Sequence, residues 1–265
     1  MKYAETVLIK GAGDLASGVA HRIQRAGFRQ IMTELPRPLT VRRSVSFSSA
    51  VYEGTIEIEG VRARRASSLA EAEEVIQQGE IALVVDPESR LLAQWRPVVL
   101  VDATMTKGGS STRIDDAPVV IGLGPGFEAG RQVHAVVETK RGHDLGKVYY
   151  RGAAAANTGV PGEVAGVSLK RLLRAPEAGV FKALVELGDL VEAGQIVAEV
   201  SGVPVRASIS GLVRGLLYSG LEVTRGMKIG DIDPRGAAID FRTISDKARA
   251  VGGGVLEALL HFLPR

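Results

Sequence analysis

A short apolar run, Thr6–Lys10 (TVLIK), runs straight into Gly11-Ala12-Gly13-Asp14-Leu15-Ala16. The residues that follow place Leu15, Val19, Ile23 and Ala26 on one helical face, and Gly27 ends the helix. Gln30–Glu34 (QIMTE) then reads as a second strand, stopped by Pro36 and Pro38. Strand, glycine turn, helix and strand within about 30 residues make a βαβ unit. The glycine pattern matches G-x-G-x-x-G/A. Its first glycine permits the tight turn, its second lets backbone approach a pyrophosphate, and Ala16 lets the helix pack close to the sheet. The helix tip carries about half a positive charge and N–H groups without intrahelical partners, so residues Gly11 to Ala16 are a candidate anion site. Glu34 follows Gly13 by 21 residues, where an acidic side chain can take ribose hydroxyls. A plain tight turn satisfies the same pattern. Asp14 repels a phosphate there unless it caps the helix. Arg37, Arg42 and Arg43 read either as contacts to an extra phosphate or as a solvated face.

The next stretch alternates. Tyr52–Arg65 carries a Glu59-Gly60 turn and reads as a β-hairpin inserted after the second strand. Ser67 is placed to cap a following helix, with Ser68 and Glu71 as an alternative capping box. Ile81–Asp86, Val98–Asp102, Val119–Ile121 and Val133–Glu138 are further strands, with a short helix at Arg90–Trp95. Runs buried on both faces and alternating with helices predict a parallel sheet. A second glycine loop, Gly122-Leu123-Gly124-Pro125-Gly126, follows one of these strands, in a position where open α/β sheets bind ligands. Gly122, Gly124 and Gly126 therefore join the candidate cofactor site. Asp86 and Asp102 end strands at the same edge and either cap the next helix or line a crevice with Lys107, Ser110 and Ser111. Arg141 and His143 are candidates for anion or proton handling. His134 with Glu138 would suit a metal only on a helix, and Val136-Val137 argues for strand.

From Gly152 to Gly166 the chain is small and flexible in composition, and beyond Pro176 it reads as short strands with evenly placed glycines. Gly188, Val191 and Gly194 return 32 positions later as Gly220, Val223 and Gly226, which suggests a small β-domain with pseudo-twofold symmetry. Ser245 to about Leu263 reads as a last helix interrupted by Gly252, Gly253 and Gly254. The expected organisation is a nucleotide- or cofactor-binding domain over 1–151, a glycine-rich linker over 152–176, a β-domain over 177–236 and a helical tail over 237–265. The expected fold class is α/β: a Rossmann-like, mostly parallel sheet with an inserted β-hairpin, then a small all-β module and a C-terminal helix.

Composition removes several chemistries. With no cysteine, disulfides, thiolate catalysis, Cys-ligated zinc and a persulfide carried by the chain itself are excluded. The opening residues do not read as a signal peptide and no run approaches the ~20 apolar residues of a membrane span, so a cytoplasmic protein without a membrane partner is expected. The net charge of +3 suits a small anionic ligand, while the lack of a basic run with interleaved aromatics argues against nucleic acid.

Two resemblances add to this. Gly188-Asp189-Leu190-Val191, Gly194-Gln195 and Ala207-Ser208-Ile209-Ser210-Gly211 resemble the biotinyl/lipoyl-type barrel-sandwich domain. The hairpin Val200–Val205 holds no lysine, so carriage of a swinging group is not implied. Across nearly the whole chain, the segments LIKGAGDLASGVAHRI, MTELPRPLTVRRSVSFSSAVYEG, VDATMTK, GLGPGFEAG, VHAVVETKRGHDLG, NTGVPGEVAG, GDIDPRG and ISDKARAVGGGVLEALL are similar to the YqeB-like accessory proteins of selenium-dependent molybdenum hydroxylase systems. That resemblance implies a part in maturing a molybdenum hydroxylase, contact with a hydroxylase subunit, and a nucleotide or molybdopterin-type cofactor as ligand. The residues leave two other readings open: an NAD(P)-dependent oxidoreductase, and a non-enzymatic scaffold whose glycine loop is only structural.

Overall fold

The computed structural model describes residues 3–106, 109–156 and 163–264. Lys107 and residues 157–162 of the glycine-rich stretch lie outside the described residues. The chain forms two units: one from Met1–Pro38, Ser46–Asn157 and Ile244–Arg265, the other from Leu39–Val45 and Thr158–Thr243.

The first unit is built on one sheet. In chain order it contains β1 (Thr6–Lys10), α1 (Asp14–Ala26), β2 (Arg29–Glu34), α2 (Ala50–Glu53), β3 (Thr55–Ile58), β4 (Val61–Ala66), α3 (Leu69–Gln77), β5 (Ile81–Val85), α4 (Arg90–Trp95), β6 (Val99–Asp102), β7 (Val119–Leu123), β8 (Ala135–Val137), β9 (Val148–Tyr149) and α5 (Asp246–Phe262). The nine strands lie in the order β3-β4-β5-β2-β1-β6-β7-β8-β9. Neighbours from β4 through β8 pair in parallel, and the two edge strands β3 and β9 pair antiparallel. Side chains alternate across the sheet. Val7 and Ile9 face one core with Val19 and Ile23 of α1 and Val251 and Val255 of α5. Leu8 faces the other with Val75 of α3, Leu91 of α4 and Phe127.

Local signals explain most boundaries. Gly27 takes the left-handed conformation that ends α1. Glu59 and Gly60 both have positive φ, as a tight hairpin turn requires. Ser68, rather than Ser67, caps α3 by accepting from the Glu71 amide, while the Glu71 carboxylate turns back to Ser67. Asp86 accepts from the amides of Arg90 and Leu91 and so caps α4.

The expected fold class needs correcting. A doubly wound fold places a helix between successive parallel strands, but the described residues of the connections from β6 to β7 and from β7 to β8 form none. The face left bare is covered by α5 from the far end of the chain. The hairpin expected after the second strand is present and belongs to the sheet itself, because its second strand pairs in parallel with β5 and extends the edge. The observed architecture is mixed α/β: a large nine-stranded, mostly parallel sheet, two further antiparallel sheets, and a C-terminal helix that serves the large sheet.

That helix is continuous where an interruption was expected. Its glycines are points of close approach. A Cβ on Gly252 would lie 2.7 Å from the Gly18 carbonyl oxygen of α1, and one on Gly18 would lie 2.7 Å from Ala248. Gly254 lies against the backbone of Gly146 in the same way. Among the described residues no helix is long and apolar enough to cross a membrane.

The second unit contains β10 (Leu172–Arg174), β11 (Gly179–Ala183), β12 (Leu190–Val191), β13 (Ile196–Val200), β14 (Val203–Arg206), β15 (Gly211–Leu216), β16 (Glu222–Val223) and β17 (Lys228–Asp233). They form two four-stranded antiparallel sheets, β10-β17-β15-β12 and β14-β13-β11-β16. A shift of 32 positions carries β10 to β13 onto β14 to β17 and one sheet order onto the other. Val191 and Val223 are both buried, and Gly179 and Gly211 share φ values of 158° and 157°. The GDIDPRG segment supplies buried charges: Asp231 is held by Arg171 and Arg214, and Asp233 by Arg214 and Arg235. Burial alone would raise the Asp231 carboxyl, but Lys228, Arg214 and Arg171 outweigh it and hold it low.

The glycines of α5 give a paired expectation. Gly252→Ala should destabilise by about 1–3 kcal/mol, because rigid backbone must move. Gly253→Ala, with open space around its Cβ position, should stabilise by about 0.5–1 kcal/mol. Urea unfolding of the two variants checks both signs.

Candidate functional site

β1 and β6 are neighbours at the centre of the large sheet, and the connections leaving them diverge: β1 leads through α1 to β2 on one side, β6 to β7 on the other. The carboxyl ends of such a strand pair are where an open sheet leaves room for a ligand. Gly11, at φ 91°, turns the chain there, and a Cβ on it would lie 3.1 Å from the Ala103 carbonyl oxygen. Glycine is therefore needed both for its conformation and for its nearness to the loop after β6. Gly13 is the N-cap of α1 and has no side chain to bond the first turn. Ala12 and Ala16 are buried, whereas Gly13, Asp14 and Leu15 reach the surface.

Glu34 ends β2 beside this turn and points back at it. Its Oε2 accepts from the Ala12 amide at 2.8 Å and its Oε1 from the Leu35 amide at 2.7 Å. One amide of the glycine turn is thus already taken. A carboxylate has about four acceptor positions, so two stay open. Burial pushes the Glu34 carboxyl up, against the pull of those two amides. The turn is braced from below by a 3-10 turn at Phe47–Ser49: Ser48 N–H donates to the Ala12 carbonyl at 2.9 Å, and Phe47 N–H to Ser17 Oγ at 2.7 Å.

Asp102, at the end of β6, is fully buried and acts differently from Asp86. Its Oδ1 accepts from the Thr104 amide at 3.1 Å and hydroxyl at 2.7 Å, and its Oδ2 from the hydroxyls of Ser110 and Thr112. Lys10, opposite Asp102 in register, donates to Thr112 Oγ1 at 3.0 Å and lies 4.0 Å from Asp102 Oδ2. Burial would raise the Asp102 carboxyl, but the hydrogen bonds from Ser110, Thr104 and Thr112 outweigh it and hold the pKa below the ordinary aspartate value. Gln132 ties the same loop by donating to the carbonyls of Ser110 and Thr112. Met105, next to Thr104, sits at φ 54°, a strained conformation for a non-glycine residue.

The second glycine loop reaches the same edge, separated from the first by β6. Gly124 is at φ 70° and Gly126 at φ 104°. Gly124 lies against Thr139 and Met105, and Gly122 against the Phe127 ring, so both are packing positions. Glu138 is buried and accepts from the amides of Thr139, Lys140 and Ala155, each at 2.7 Å. Arg141 forms a two-pronged ion pair with Asp246, at 2.6 and 2.8 Å, and His143 is exposed on the adjoining turn. His134 lies at the opposite end of β8, where its Nδ1 accepts from the Val120 amide, and burial lowers its pKa. No group of three or more His, Asp or Glu among the described residues is arranged to hold a metal ion. Arg42 and Arg43 belong to the second unit, where Arg42 donates to the Thr243 carbonyl and Arg43 stacks on Tyr218.

Lys247 has no signal in the sequence. It stands in the first turn of α5, and its ammonium makes no hydrogen bond among the described residues. Burial lowers its pKa, Arg141 adds to that, and Asp14, Glu138 and Asp246 pull it back. The negative charge of Asp14 at the glycine turn is thereby faced by a cation. Lys10 was equally hidden, because only the pairing of β1 with β6 brings it to Asp102, whereas Thr104 and Thr112 come from the loop that follows β6.

No protein-family model matches the sequence. The Escherichia coli (strain K12) protein YqeB is 52% identical over 259 residues, which is 98% of this chain. The chain is YqeB-like. It spans 48% of that protein's length, so YqeB carries about as much sequence again. Solved structures that align with it include an aspartoacylase family protein from Mesorhizobium loti (13% identity, TM-score 0.27, 87% of this chain and 85% of that one). A succinylglutamatedesuccinylase/aspartoacylase from Rhodobacter sphaeroides aligns at 14% identity and TM-score 0.26, over 86% and 84%. The ectoine utilization protein EutE from Ruegeria pomeroyi aligns at 12% and 0.25, over 86% of each chain. At these TM-scores the alignments carry no argument about this YqeB-like chain.

Replacing Asp102 by Asn keeps the shape but withdraws the charge to which the hydroxyls donate, and should cost about 1–3 kcal/mol at neutral pH. Because the folded pKa is lowered, the contribution is present above the ordinary aspartate value and is lost as the pH falls through the lower folded one. The stability gap between wild type and Asp102→Asn should therefore be wide at about pH 7 and shrink by about pH 3, as read by urea unfolding.

Proposed function

We propose that the chain binds a small anionic cofactor, a nucleotide or a molybdopterin-type molecule, at the carboxyl ends of β1 and β6, and that it does so as an accessory factor in the maturation of a molybdenum hydroxylase. The observation that carries the binding half is the uncapped tip of α1 at Gly13. It reaches the surface between Gly11 and Leu15, and Lys247 faces the charge of Asp14 beside it. Amide groups at a helix tip favour a phosphate. Lys247 makes up for the charge of Asp14. The glycines of the second loop shape the floor of the same edge. The pathway half rests on the sequence resemblance and its YqeB-like character, and a hydroxylase subunit is the macromolecular partner this reading implies.

Glu34 favours a ligand with a ribose. Its two remaining acceptor positions suit a diol, which is also what an NAD-dependent oxidoreductase would present. Asp102 and Glu138 have their carboxylate oxygens engaged by hydroxyls and amides, so neither is placed as a general base.

Mass spectrometry of gently purified protein should reveal a co-purified nucleotide or pterin. Calorimetric titration with ADP, CDP, GDP and NAD then separates the readings. Gly13→Glu and Lys247→Gln should each weaken binding roughly tenfold or more while leaving the melting temperature nearly unchanged. Unaltered affinity in both variants would overturn the site, and binding of NAD alone would favour the oxidoreductase. Loss of the gene in a host that makes a molybdenum hydroxylase should leave that enzyme inactive although it is still synthesised.

A further inference from the structure

A second basic site lies away from the sheet edge, on the outer side of α1. Residues 18, 21, 22 and 25 share one helical face by their i, i+3, i+4, i+7 spacing. A helix face that meets a neighbouring helix is normally apolar, yet this one reads Gly18, His21, Arg22, Arg25. Together with Ile244 and Arg249, these residues line a cavity of about 160 Å³, far above the ~10–15 Å³ that a single water needs. No acidic side chain lines it. Arg249 is a fixed wall: one of its terminal nitrogens is held by both oxygens of Glu59, at 2.6 and 2.7 Å, and the same carboxylate accepts from the Ile244 amide at 2.7 Å. The rest of its five-donor fork stays available. Arg22 and Arg25 are exposed and form no ion pair among the described residues. His21 Nε2 lies 3.4 Å from the Glu59 carbonyl oxygen.

A solvated helix face would carry the same arginines, but it would not be concave. It would also not receive a third guanidinium from another helix, pinned in place by a hairpin turn. We infer that this cavity is a binding site for a small oxyanion of the phosphate or sulfate type, gripped by Arg22, Arg25 and Arg249 with His21 as a fourth donor. Guanidinium forks suit such oxyanions because two parallel N–H bonds match two oxygens. The groups facing His21 are Glu59 from the hairpin, Arg249 from α5 and Arg25 from its own helix. Burial, helped by the two arginines, keeps its pKa below the ordinary histidine value against the pull of Glu59. A bound dianion adds negative charge and favours the imidazolium, so binding should tighten as the pH is lowered.

The test uses sulfate, whose charge is constant across the pH range, on the full chain. The protein has four histidines, so the His21 ring resonance can be assigned by its loss in His21→Asn. Sulfate should shift that resonance saturably, more tightly at about pH 6 than at about pH 7.5, and sodium chloride of equal ionic strength should not. Arg22→Gln with Arg25→Gln should weaken the effect roughly tenfold or more without changing the melting temperature, since both side chains are exposed. The His21 response should persist in Gly13→Glu, which separates this site from the sheet edge. The inference falls if sulfate leaves His21 unmoved, if chloride moves it equally, or if the double variant keeps the wild-type midpoint.

Discussion

Two helices more than 200 residues apart in sequence meet backbone to backbone. Gly18 on α1, with Ala248 and Gly252 on α5, allows an approach that any larger side chain would prevent. Much else depends on that crossing. It closes the sheet face left open by helix-free connections after β6 and β7. It sets Lys247 near the tip of α1, and it stations Arg249 and Ile244 opposite His21, Arg22 and Arg25. Both candidate sites therefore use α1 from one end of the chain and α5 from the other. The contact is short-range and steric, so it tolerates little adjustment.

At the sheet edge, two kinds of buried carboxylate organise the backbone. Glu138 and Glu34 collect amides, and Asp102 collects mainly hydroxyls. Such groups are costly to bury unless every oxygen finds a donor. The Asp102 loop meets that condition through Thr104, Ser110 and Thr112, with Gln132 holding the loop from outside. Lys10 lies beside the Asp102 carboxylate, and Lys247 faces the charge of Asp14 at the helix tip.

The opening βαβ unit was legible because each of its signals is local: the apolar run, the positive-φ glycine and the stripe of α1. The hairpin turn at Glu59-Gly60 and the cap at Ser68 were legible for the same reason, the latter to within one residue. The fold class was misread because apolar runs at Ile81, Val98 and Val119 imply buried strands without stating what covers them. Glycines 252–254 looked like a break, since helix propensity cannot see a neighbouring backbone that demands small residues. In the site, Gly11, Glu34 and Asp102 could be singled out by strand-end position. Lys10 and Lys247 could not, because their proximity follows only from which strands and helices become neighbours.

The 32-residue repeat has a consequence of its own. Each of the two small sheets draws two strands from either half: β10 and β12 join β15 and β17, while β14 and β16 join β11 and β13. Neither half can close a sheet alone, since every edge it offers is completed by its sibling. The hairpin at Ser201-Gly202, which turns β13 into β14, is the covalent bridge between the halves, so cutting the chain there would leave two fragments that can rebuild the sheets only by interlocking.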